Sequence, residues 1–113
     1  MIYNYYRALI EEAQHYDSED LFVGAYGYPE NCSYSPENLQ RIFYIIYTVS
    51  NNNFPALIEL SGMSFKIFSE KYNIPQRTAL HWKMGDRTAP EYVMQLIGYA
   101  MICEIPTIEQ YEE

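Results

Sequence analysis

Apolar residues recur at helical spacing along most of this chain. Over residues 2–16, Ile2, Tyr5, Tyr6, Leu9, Ile10, Ala13 and Tyr16 share one face, and Glu11, Glu12 and Gln14 fill the other. That pattern predicts an amphipathic helix closed by the charged turn Asp17-Ser18-Glu19-Asp20. Residues 21–34 carry Gly24, Gly27 and Pro29, which predict a loop with one short extended piece. Ser35-Pro36-Glu37 then reads as a helix start: a capping hydroxyl, a proline suited to the first turn, and an acid that complements the helix dipole. Leu39, Ile42, Phe43, Ile46 and Tyr47 carry that helix to about Ser50, and Asn51-Asn52-Asn53 breaks it. Phe54-Pro55 opens a short helix through Leu57, Ile58 and Leu60, which Ser61-Gly62 ends.

The next forty residues are the most informative. Ser64 caps a helix with Phe65, Ile67, Phe68 and Tyr72 as its apolar face. Asn73-Ile74 predicts a tight turn, because asparagine tolerates a left-handed backbone. Pro75 starts a second helix, Gln76 to Lys83, with Ala79 and Trp82 inward and Thr78 near the turn; Met84-Gly85 ends it. Thr88-Ala89-Pro90-Glu91 reads as a capping box. The last helix is expected from Pro90 to about Cys103, with Tyr92, Val93, Leu96, Ile97, Ala100 and Met101 inward. The fold class expected is therefore all-α, with five to six short helices and no internal repeat.

Composition agrees with a folded chain. Hydrophobic residues make up 49% and charged residues 19% of the 113 positions. No run of about 18 apolar residues occurs, and Met1-Ile2-Tyr3-Asn4 lacks the basic and apolar regions of a signal peptide, so a cytoplasmic protein without a membrane span is expected. Cys32 and Cys103 are too few for a disulfide scaffold and lack metal-site spacing; free thiols are the expected default, and a Cys32–Cys103 bridge is the alternative.

Charge and tyrosine change the picture more. The net charge is −8, and there are 13 tyrosines. In residues 1–52, Arg7 and Arg41 stand against Glu11, Glu12, Asp17, Glu19, Asp20, Glu30 and Glu37, a net of −5. In residues 53–103, Lys66, Lys71, Arg77, Lys83 and Arg87 stand against Glu59, Glu70, Asp86 and Glu91, a net of +1. The tail 104–113 adds Glu104, Glu109, Glu112 and Glu113. An acidic, tyrosine-rich helical region (1–52) thus precedes a near-neutral one (53–103) and an acidic tail. Tyr5, Tyr6, Tyr44 and Tyr47 are expected in the core, and Tyr26, Tyr28 and Tyr34 at the surface.

Enzymatic chemistry finds little footing. Glu11-Glu12 and Asp17, Glu19 and Asp20 sit on a helix edge and turn beside no histidine cluster, so they read as a solvated face. No phosphate-binding glycine loop, nucleophile elbow or metal-ligand spacing occurs, and no cofactor is implied.

The stretch Met63-Ser64-Phe65-Lys66-Ile67-Phe68-Ser69-Glu70-Lys71-Tyr72-Asn73-Ile74-Pro75-Gln76-Arg77-Thr78, followed by Trp82, Gly85, Arg87, Pro90 and Tyr92-Val93, resembles the Cro/repressor (XRE-like) class of phage and bacterial helix-turn-helix proteins. The likeness covers about 50 of the 113 residues. It implies a helix-turn-helix bundle over 53–103 whose second helix enters the DNA major groove. It also implies that Gln76, Arg77 and His81 reach base edges, with Thr78 and Ser64 near the sugar-phosphate backbone. Lys66 and Lys83 are placed to add phosphate contacts. Glutamine can bond adenine and arginine guanine, each through two hydrogen bonds. The residues alone leave other readings open: Arg77 could instead pair with Glu70 or Glu91, and His81 could be merely solvated. The sequence also departs from the class pattern. Phe65, Met84, Asp86, Ala89 and Glu91 stand where polar or basic residues are usual.

Two functions follow. The first is a DNA-binding transcriptional regulator, acting as a homodimer on double-stranded DNA, with the front half supplying the dimer contacts. The second is an acidic inhibitor on a helix-turn-helix scaffold, of the kind found among phage anti-CRISPR and other DNA-mimic anti-defence proteins. It would present Glu11, Glu12, Asp17, Glu19, Asp20, Tyr26 and Tyr28 to a basic protein partner such as a nuclease effector.

Overall fold

The computed structural model describes residues 1–26 and 33–107, with the backbone alone for Tyr26. Among the described residues the chain forms seven helices and no strand: α1 (Tyr3–Ala13), α2 (Glu19–Tyr26), α3 (Pro36–Ser50), α4 (Phe54–Ser61), α5 (Phe65–Lys71), α6 (Gln76–Met84) and α7 (Glu91–Cys103). The all-α expectation holds, with one helix more than expected.

That extra helix is α2, in a stretch where the glycines predict a loop. Ser18 Oγ accepts a hydrogen bond from the Leu21 N–H at 3.2 Å, and Glu19 and Asp20 occupy the first turn, where the helix dipole favours acids. Phe22 is fully buried and meets Phe43 edge-on, with ring centroids 5.8 Å apart. Burying one large aromatic outweighs the weak helix propensity of Gly24. Gly24 itself is exposed, and a Cβ placed there would meet nothing within 4 Å. Gly24→Ala is therefore expected to raise stability by about 0.5–1 kcal/mol, read as a higher denaturation midpoint in urea. Residues 27–32 lie outside the described set, as do Tyr28 and Cys32.

The centre of the molecule is α3. Ser35 caps it by accepting from the Asn38 N–H, as expected. Leu39, Ile42, Phe43, Ile45, Ile46, Thr48 and Val49 are all buried, so the helix is apolar well beyond a single stripe. It packs against α1, α2, α4 and α7. One hydrophobic cluster runs from Tyr6 and Phe22 through α3 to Phe68 and Met94, joining residues 1–52 to 53–103. In the front half the Tyr6 ring is buried and its hydroxyl donates to the Gln95 carbonyl at 2.7 Å, tying α1 to α7. That burial, and then Tyr3, raises the Tyr6 phenol far above its ordinary pKa. Ile2 and Tyr5, expected inward, are exposed, and Tyr44 and Tyr47 are half-buried.

Behind α3, the short helices α4, α5 and α6 pack on one another. Asn53 caps α4 through the Ala56 N–H, and Ser64 caps α5 through the Ile67 N–H. Gly62 (φ 71°) and Gly85 (φ 86°) end α4 and α6 in the left-handed region, where a Cβ would be strained. Asn73 (φ 55°) makes the turn between α5 and α6 as the sequence predicts. Phe54 meets Phe68 at 5.7 Å and Trp82 at 5.4 Å, both edge-on, and pins all three helices.

Two expectations for α7 fail. Thr88 is exposed and caps nothing; the helix begins after Pro90, which has no side-chain cap. The segment before it is set by tertiary contacts, since Ala89 is buried and its carbonyl accepts from the Asn52 amide at 2.8 Å. The buried face is also rotated. Met94, Ile97, Gly98, Met101 and Ile102 point inward, while Tyr92 and Leu96 are exposed. Of the tail, Ile105 is buried and Glu104 pairs with Lys71 at 2.6 Å.

Candidate nucleic-acid interface

The candidate reading residues belong to the first turns of α6. Gln76 and Arg77 are exposed, and neither has a hydrogen-bond or ion-pair partner among the described residues. The Arg77–Glu70 and Arg77–Glu91 pairs that the sequence left open do not form. Thr78 is half-buried beside the turn. His81, one turn further on, places Nδ1 3.3 Å from Asp86 Oδ2, so its ring is partly engaged within the chain.

The candidate phosphate contacts gather at the other end of α6. Lys83 Nζ lies 5.1 Å from the centre of the Phe65 ring, which brings it to the start of α5. Ser64 and Lys66 stand there too, both exposed. The Ser64 oxygen is spent as the α5 cap, which leaves its O–H as a donor. At 1.5 Å per residue, Arg77 and Lys83 are separated by about 9 Å along α6. The reading residues and the lysines thus flank one helix.

The same surface carries three apolar side chains: Ile67, which the sequence pattern placed inward, Leu80, which it passed over, and Met84, which it noted where polar or basic residues are usual. Leu80 is 47% exposed, Met84 68% and Ile67 54%. Gln76, Leu80 and Met84 recur every fourth residue and so share one face of α6. Only Ala79 is fully buried on this helix, with Trp82 half-buried against Phe54. A helix held by so narrow a contact keeps its apolar residues outside.

The acidic candidates lie away from this helix. Glu11 and Glu12 end α1, Asp17 lies in the turn, and Glu19 and Asp20 start α2; all five are exposed. The elements that carry them pack on α3 and α7, and α6 packs on α4 and α5. Tyr28 and the Tyr26 side chain lie outside the described residues. Among the described residues no three His, Cys, Asp or Glu side chains gather as a metal-ligand group, and no helix is long and apolar enough to cross a membrane. The Cys103 thiol is exposed.

The chain matches no protein-family profile, no curated protein and no solved structure. Function therefore rests on the geometry of α5 and α6.

Proposed function

We propose that this protein is a small cytoplasmic DNA-binding regulator whose α5 and α6 form a helix-turn-helix of the repressor type. The observation that carries this reading is the first turn of α6. Gln76 and Arg77 project there into solvent with no partner among the described residues. Both side chains can make the paired hydrogen bonds that distinguish adenine and guanine in the major groove. Lys66 and Lys83, gathered near the α5 N-terminus, supply phosphate contacts, and the Ser64 hydroxyl adds a neutral donor. Thr78 contacts the backbone beside the turn, and His81 reads a base edge when released from Asp86. With so few cations, one protomer binds weakly, and a homodimer on a palindromic site makes up the difference.

A second reading is favoured by Ile67, Leu80 and Met84. Apolar side chains on this surface, beside a net charge of −8, suit a protein partner better than a phosphate backbone. In that reading the chain is an acidic inhibitor: the apolar face of α5 and α6 contacts the partner, and Glu11, Glu12, Asp17, Glu19 and Asp20, on a separate surface, meet its basic groove.

Selection of duplexes from a random pool separates the two. The first reading expects an enriched sequence. Arg77→Ala is then expected to lose about 1–3 kcal/mol of discrimination, a fall of roughly 5- to 150-fold in preference for the selected site. A pool that stays unenriched, or an enriched site to which Arg77→Ala binds as the unaltered protein does, favours the second.

A further inference from the structure

From Tyr92 to Cys103, α7 holds no charged residue. Its inward face is Met94, Ile97, Gly98, Met101 and Ile102. An ordinary surface helix is polar on the opposite face, and this one is not. Tyr92 is 65% exposed and Leu96 53%, and Cys103 is exposed two turns beyond Leu96. Tyr99 lies between them, half-buried, with its ring edge-on to Tyr3 at 5.0 Å and its hydroxyl donating to the Met1 carbonyl. Ile2, also exposed, follows in the chain beside that bond. At about 3.6 residues per turn, Tyr92, Leu96, Tyr99 and Cys103 fall within about 60° of one another and make a stripe about 16 Å long. Apolar residues scattered singly are normal on a protein surface, whereas a helix apolar on every side belongs inside a larger packed body.

We propose that this face packs against the same face of a second copy of the chain, the two α7 helices running antiparallel about a twofold axis. The stripe is its own complement. Its spacing of four, three and four residues is the one with which two helices pack at a shallow angle. Antiparallel order sets Tyr92 of one copy against the small Cys103 of the other, and Leu96 against Tyr99, as a twofold contact requires. Charge selects the same occupant. Each copy carries −8, so like copies repel wherever their acids meet, and this face brings none together between Tyr92 and Cys103. The acids that bound the stripe, Glu91 and Glu104, approach each other across the axis, and Lys71, 2.6 Å from Glu104, offsets them. A foreign partner of so acidic a protein would be drawn to its charges, which this face lacks. The interface centres on α7 rather than on the front half expected from the sequence. In function it rests on the DNA-binding reading, which calls for a homodimer; its geometry does not, so the two can fail separately. A single helix face gives an interface near the lower bound of specific contacts, about 1,000 Å² in total, and a Kd of about 1–100 μM is expected.

The test is sedimentation velocity of the full chain without DNA, from about 1 to 500 μM. A reversible rise from monomer to dimer mass is expected, and moderate salt is expected to hold or tighten the dimer by screening the acids. Leu96→Glu and, separately, Tyr92→Glu each set a charge in the stripe and are expected to weaken the dimer roughly tenfold or more. Leu80→Glu makes the same kind of change on α6 and is expected to leave the dimer intact. All three positions are exposed, so urea midpoints of the monomeric variants are expected to stay close to that of the unaltered chain. The proposal is overturned if the chain stays monomeric at the highest concentration, which would leave the stripe to a different protein. It is equally overturned if both stripe variants dimerise as the unaltered chain does, if Leu80→Glu dissociates the dimer as strongly as Leu96→Glu, or if moderate salt dissociates it. A dimer that selects no duplex upholds this interface and contradicts the DNA-binding reading; a monomer that selects one does the reverse.

Discussion

Phe54→Ala is expected to destabilise the protein by about 3–5 kcal/mol, the largest loss of any single truncation considered. Phe54 is the first residue of α4 and is almost wholly buried. Its ring meets Phe68 on α5 and Trp82 on α6 edge-on. Few other contacts hold α6, whose only fully buried residue is Ala79. The change leaves a cavity between three short helices, none of which is stable alone. Chemical denaturation measures the loss directly. A cost under about 1 kcal/mol, the size of a surface change, would show that the three helices are held in some other way.

Gly98→Ala is expected to cost about 1–5 kcal/mol, although alanine is the better helix former. A Cβ at this position would lie 2.5 Å from the Tyr6 hydroxyl and 2.6 Å from Val49 Cγ2. Val49 is β-branched and stiff, and the Tyr6 hydroxyl is held by the Gln95 carbonyl. Overpacking costs about 1–3 kcal/mol, and displacing the buried hydroxyl costs about 1–3 more. The gain in helix propensity returns about 1 kcal/mol. Combining Gly98→Ala with Tyr6→Phe removes the clash with the hydroxyl and leaves the one with Val49, so the double variant should lose less than the two single losses together. Simple additivity in urea denaturation, or a stabilising Gly98→Ala, would contradict this close approach of α7 to α1 and α3.

These two residues also mark what the sequence could and could not reveal. Helix ends were legible because their chemistry is local. Ser35, Ser64, Gly62, Asn73 and Gly85 all act where propensity and backbone sterics place them. The orientation of α7 was not legible. From Tyr92 to Ile102 apolar residues occupy several faces, so periodicity does not choose among them. The close contact at Gly98 does choose, and it sends Tyr92 and Leu96 outward. The helix α2 was hidden for a similar reason: Gly24 signals a loop locally, and the burial of Phe22 is a tertiary effect.

The candidate site was legible in part. Gln76 and Arg77 are exposed and, among the described residues, unpaired. The His81–Asp86 contact depends on how the chain turns after Gly85, which no spacing rule gives. Lys83 over Phe65 likewise depends on how α5 and α6 pack.

The most direct test of the central claim is fluorescence anisotropy of the intact protein with a selected duplex and with its scrambled counterpart, in low and moderate salt. Tight binding to the selected duplex, weak binding to the scrambled one, and a shallow salt slope of about −2 to −4 per protomer are predicted from the few cations around α6. Equal affinity for the two duplexes, or no binding to either even at low salt, would contradict a sequence-reading role for Gln76 and Arg77.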